Sequence, residues 1–105
     1  MNDATDHFWN LVDPFLKRPG VSRGTMMGFG CLRYEGAFFA TVHRKTGDLV
    51  VKLDELRVDG LIEAGLGEPF APAGRRFRAW VAVRERDDER WLQLIEEAMK
   101  RAEGA

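Results

Sequence analysis

The single cysteine Cys31 and the histidine His43 have the types that a nucleophile–base pair needs. A thiolate beside an imidazole base attacks carbonyl or phosphoryl centres, provided the two side chains come within hydrogen-bond reach. Whether they meet depends on the hairpin that carries them. With a two-residue turn at Glu35-Gly36, Tyr34 pairs with Ala37 and Cys31 with Ala40, which puts Cys31 and His43 on opposite faces; a one-residue bulge reverses the relation. The expectation is a buried structural thiol and no catalytic residue. Ser22, the only serine, stands outside any nucleophile-elbow sequence and reads as part of the turn after Pro19-Gly20.

Asp87-Asp88-Glu89 and Glu96-Glu97 fall at a helix start and on a helix surface, where acids cap or are solvated. Gly28-x-Gly30 begins like a phosphate-binding fingerprint, but no third glycine follows, so close packing of a ring or backbone is the preferred reading. Two histidines and one cysteine lie far apart without ligand spacing, so neither a metal nor a cofactor is expected. Around Trp80 stand Arg75, Arg76, Arg78, Arg84 and Arg86, offset within 75–86 only by Glu85. Arg75, Arg76, Arg78 and Arg84, with Trp80 for stacking, would make an anion or nucleic-acid surface. Pairing of these arginines with acids on neighbouring helices is the favoured alternative.

The elements that must hold these residues are legible from periodicity. Phe8, Leu11, Val12, Phe15 and Leu16 form one helical stripe over 4–17, with Asp3 or Thr5 as cap and a break near Asp13 imposed by Pro14. Three strand-like runs follow in 25–53, divided by Glu35-Gly36 and Thr46-Gly47-Asp48. In that register Met27, Phe29, Cys31, Phe38, Ala40 and Val42 share one face. Met26, Gly28, Gly30, Leu32, Ala37, Phe39, Thr41 and His43 share the other. Leu49, Val51 and Leu53 oppose Val50 and Lys52 in the third run. A helix over 54–64 would bury Leu56, Val58, Leu61 and Ile62 and stop at Gly65. A Gly/Pro-punctuated connection anchored by Phe70 leads to a strand over 77–84, where Phe77, Ala79, Val81 and Val83 alternate with Arg78, Trp80, Ala82 and Arg84. A final helix over 88–102 carries Trp91, Leu94, Ile95, Ala98 and Ala102. The expected architecture is α+β, an antiparallel sheet of about five strands with helices.

Composition sets outer limits. At 105 residues, with 45% apolar and 31% charged residues, the chain reads as one globular domain spanning 1–105. A net charge of −1 excludes a general polycation. One cysteine excludes an internal disulfide framework and suits a reducing cytoplasm. No membrane-spanning run and no basic-then-apolar leader pattern is present.

Several motifs together resemble a known family. Met26-Met27-Gly28-Phe29-Gly30, Tyr34-Glu35-Gly36-Ala37-Phe38-Phe39-Ala40 and Gly47-Asp48-Leu49-Val50-Val51-Lys52-Leu53 are similar to the core of the TfoX N-terminal domain family. Gly67-Glu68-Pro69-Phe70, Gly74-Arg75-Arg76, Trp80-Val81-Ala82-Val83 and the Trp91 helix continue the likeness in order over roughly 20–102, and the MmcQ/YjbR group shares the tail pattern. The resemblance implies an α-β-β-β-α-β-β-α fold like that of secretion chaperones, a bacterial source, a regulatory kinship and no shared catalytic residues. The chain ends without the second domain of the competence regulators that name the family, so a role in competence does not carry over.

The functional expectation is thus a non-catalytic regulatory or protein-interaction domain. Because both sheet faces are apolar, a homodimer burying Leu32, Phe39 or Trp80 is expected to cover the one that the helices leave. The alternatives are a nucleic-acid module acting through Arg75–Arg86, and a small-ligand carrier or enzyme with a pocket near Cys31 or His43.

Overall fold

The computed structural model describes residues 3–26 and 29–104. Helix α1 (Asp3–Leu11) gives way at Val12 to the one-turn helix α2 (Asp13–Leu16). Pro14 lacks an amide hydrogen and is tolerated in a first helical turn; it stands there in α2, so the break falls where the sequence expects it. Phe8, Val12 and Phe15 are buried, and Leu11 and Leu16 pack beside them. Four strands follow: β1 (Val21–Met26), β2 (Phe29–Tyr34), β3 (Ala37–Val42) and β4 (Leu49–Lys52). Helix α3 (Glu55–Glu63), strand β5 (Glu68–Pro69), a 3-10 turn at Pro72–Gly74, strand β6 (Trp80–Val83) and helix α4 (Asp88–Gly104) complete the described chain. The strands form one antiparallel sheet of six, in the order β1-β2-β3-β4-β6-β5. The α+β class stands as read; the strand count rises because β1 enters as a separate strand.

The hairpin between β2 and β3 turns on Glu35 and Gly36, both at positive φ (47° and 91°), which matches the right-handed twist of the strands it joins. Tyr34 pairs with Ala37 as expected, and Arg33 with Phe38. The register then shifts: Leu32 pairs with Ala40 and Cys31 with Thr41, leaving Phe39 as the extra residue of a β-bulge. The expected Cys31–Ala40 pair is therefore corrected. Phe39, Ala40 and Val42 join Leu32 on the helix-covered face, while Cys31, Phe38 and Thr41 lie on the other. The faces assigned to Met26, Met27, Gly28 and Phe29, and the Asp3 cap, lie outside the described side chains.

Helices α1, α2 and α4 cover the first face, and α3 adds Val58 and Leu61 at the end near β6. Trp91, Phe8, Phe39, Leu32 and Ile95 are fully enclosed, each contributing on the order of 1.5–3 kcal/mol of transfer free energy. The Trp91 indole N–H donates to the Glu85 carbonyl at 2.8 Å, so even the polar end of this ring is satisfied. Arg18 clamps the layer from outside, donating twice to Glu96 at 2.7 and 2.8 Å. That contact holds the Glu96 carboxyl below its usual range and the Arg18 guanidinium above its own.

The second face has its own cover. Cys31, Val50, Trp80 and Ala82 form a separate buried cluster against which Phe38, Phe70 and Phe77 pack. A strap over 70–77 brings the two phenylalanines in, closed by the Phe77 amide donating to the Phe70 carbonyl at 2.9 Å. The strand expected over 77–84 therefore starts only at Trp80: Arg78 and Ala79 turn, and Phe77 sides with Trp80 instead of Val81. This closure removes the motive for burying the face in a dimer. Leu32 and Phe39 lie beneath the helices and Trp80 is 8% exposed, so none of the three presents a surface to a second copy. Leu56, expected in the core, is 86% exposed, because α3 turns Val58 and Leu61 inward. Among the described residues no helix is long and apolar enough to cross a membrane.

Candidate functional site

The bulge puts Cys31 on the face toward which the chain runs on to His43, yet no nucleophile–base pair forms. The Cys31 thiol has no exposed surface and donates to the Ala40 carbonyl at 3.1 Å; burial pushes it up to about 12. His43 Nδ1 accepts the amide hydrogens of Lys45 and Thr46 at 3.2 and 3.3 Å, which commits that nitrogen to the turn. Ser22 Oγ accepts from Arg33 Nε at 3.0 Å. Gly30 packs as its sequence setting suggests: a Cβ there would lie 2.9 Å from the Trp9 ring. Among the described residues no three histidine, cysteine or acidic side chains gather as metal ligands would.

The arginines around Trp80 scatter. Arg76 donates to Asp59 at 3.4 Å, Arg84 is ion-paired with Glu68 at 3.1 Å, and Arg75 lies over the Phe77 ring at 5.4 Å. Arg78 is exposed in the turn before β6, so it does not share a strand face with Trp80 and Arg84. Trp80 itself is buried beside Phe70, with ring centroids 6.5 Å apart, and offers no open ring face to a base.

What the fold does assemble is a groove of about 460 Å³ on the second face. One wall is the turn between β3 and β4, bearing His43, Thr46 and Asp48; the floor is Val50 and Ala82; the far wall is the β5 segment with Phe70. The Arg84–Glu68 ion pair stands at its edge and also lines a second groove of about 510 Å³ beside Gly65–Gly67. Local chemistry explains the turn. Gly47 supplies φ of 79°, its amide donates to the His43 carbonyl at 2.8 Å, and the His43 amide donates to the Asp48 carbonyl at 2.9 Å. Asp48 is thereby drawn inward: it is 8% exposed, and its enclosed Oδ1 has no hydrogen-bond partner. Sequence reasoning read Asp48 as a turn residue and missed this. The signal was its place directly before Leu49-Val50-Val51, a run buried on both faces, which leaves the preceding side chain little access to water.

The chain is thus an α+β domain with helices on one sheet face and, on the other, a strap and a polar-walled groove. Comparison with protein-family models, with curated proteins and with solved structures finds no match.

Proposed function

We propose that this protein is a non-catalytic recognition domain whose binding site is the groove between the 43–48 turn and β5. The observation that carries this reading is the buried Asp48 carboxylate in a groove of ligand size with an apolar floor. Concave sites of this kind bind through apolar contact and take their specificity from a few fixed polar groups. The chemistry of the nearby residues favours binding over turnover: the Cys31 thiol is enclosed and pushed up to about 12, and His43 Nδ1 serves the turn. The ordered motifs that resemble the TfoX N-terminal domain fit a regulatory use of such a site.

Amide-resolved NMR against a chemically mixed fragment set tests the reading. Shifts are expected to concentrate at residues 43–50, 68–72 and 82–84. Fragments that perturb none of these, or that perturb the whole surface evenly, would refute it.

A further inference from the structure

Of the two buried polar side chains among the described residues, one is satisfied and one is not. Thr41 Oγ1 donates to the Gly30 carbonyl at 2.5 Å, whereas Asp48 Oδ1 has no partner. A carboxylate only accepts, so what Asp48 lacks is donors. Four backbone amides of the turn are already spent. The amides of Lys45 and Thr46 donate to His43 Nδ1, that of Gly47 to the His43 carbonyl, and that of Asp48 to Thr46 Oγ1 at 3.2 Å. Arg84, across the groove, is ion-paired with Glu68. Leaving such an acceptor unsatisfied costs about 1–3 kcal/mol; Oδ1 is enclosed, so a ligand donor would offset that cost once a turn of the carboxyl about its Cβ–Cγ bond brings the oxygen to the groove that Asp48 lines.

From this we infer that the groove takes a small ligand bearing a primary ammonium group on a short apolar body, with the ammonium at Asp48. This rests on the reading of the groove as the binding site and adds the ligand class. An ammonium is compact and carries three donors, matching a carboxylate short of donors. Its apolar stem lies against Phe70, Pro69 and Pro72, which keep exposed apolar surface, whereas Val50 and Ala82 beneath are almost wholly buried. Charge agrees as well: Asp48 and Glu68 set two carboxylates in the walls against the single guanidinium of Arg84, which favours a cation over an anion.

The test titrates L-leucinamide into isotope-labelled protein, with N-acetyl-L-leucinamide and 4-methylpentanoate as the uncharged and anionic counterparts. Leucinamide is expected to shift the amides of Thr46–Val50 and Ala82. The acetylated compound should bind at least about tenfold more weakly, as should leucinamide to Asp48→Asn, because each exchange removes one charged partner. Equal or tighter binding of either counterpart overturns the ammonium assignment while leaving the groove a binding site. If none of the three shifts those amides, the ammonium assignment falls; if the mixed fragment set also fails there, the recognition reading falls with it. Should Asp48→Asn fail to fold, the comparison of the amine with its acetylated form on the unaltered protein decides alone.

Discussion

Cys31 gives the most direct quantitative check on the second face. An ordinary thiol near 9.0 is about one-tenth thiolate at pH 8; one held near 12 is thiolate to about one part in ten thousand, so the reactive form falls about a thousandfold. The sulfur also has no exposed surface, so a reagent reaches it only when the cluster under Phe70 and Phe77 opens. Ellman's reagent at pH 8 should therefore label the folded protein at least about a thousandfold more slowly than the guanidinium-unfolded chain. The same burial predicts a pH effect on stability. The folded value is raised, so this contribution is complete below about 9 and is lost as pH climbs toward about 12, at about 1.4 kcal/mol per unit. Between pH 9 and 10.5 the native protein should lose about 2 kcal/mol more than Cys31→Ala in urea unfolding. The variant removes the thiol while keeping every lysine and tyrosine, so other alkaline titrations cancel in the difference. Native labelling within about tenfold of the unfolded rate, or identical alkaline limbs for the two proteins, would refute the placement of Cys31.

Three further outcomes follow from single contacts. Asp48→Asn should stabilise the free protein by about 1 kcal/mol, raising its melting temperature by about 5 °C, because it neutralises a carboxylate with an enclosed, unpartnered oxygen; a lower melting temperature would mean that the carboxylate supports the turn. Gly67→Ala should cost about 1–3 kcal/mol in chemical unfolding, since the new Cβ would stand 2.6 Å from Val81 Cγ2 in the core; an unchanged midpoint would contradict the close approach of these segments. Glu96→Gln should cost about 1 kcal/mol at pH 7 and flatten the acid limb. The Glu96 carboxyl is held down by Arg18, so its contribution is present above about 4.5 and lost as pH falls through the lowered folded value; equal acid sensitivity of the two proteins would contradict this.

The helices were legible because their apolar stripes are long and Pro14 and Gly65 punctuate them. Strand β4 was legible because Leu49, Val50 and Val51 alternate cleanly between the two clusters. Strand β1 was not, since Val21–Met26 contains Ser22, Arg23 and Gly24 in place of an alternating pattern. Gly24 stands there because a Cβ would come within 2.9 Å of the Phe38 ring, a tertiary demand with no local trace. The groove was legible only through His43. Asp48, Glu68 and Phe70 lie 20 or more residues apart in part, and the sheet order, which sets β6 between β4 and β5, is what brings them together.

The bulge at Phe39 also changes phase within a single strand. Up to it, odd-numbered side chains of β3 point to the helices; past it, the even-numbered Ala40 and Val42 do. A hairpin that kept every residue but ran on in simple alternation, pairing Leu32 with Phe39 and Cys31 with Ala40, would therefore not be a tidier version of this one. It would turn Thr41 into the main core, carry Val42 to the strap side and invert the approach to the 43–48 turn, moving Asp48 away from the groove it lines. The irregularity works as a phase setting: one unpaired residue decides which side of the sheet every later side chain in that strand serves.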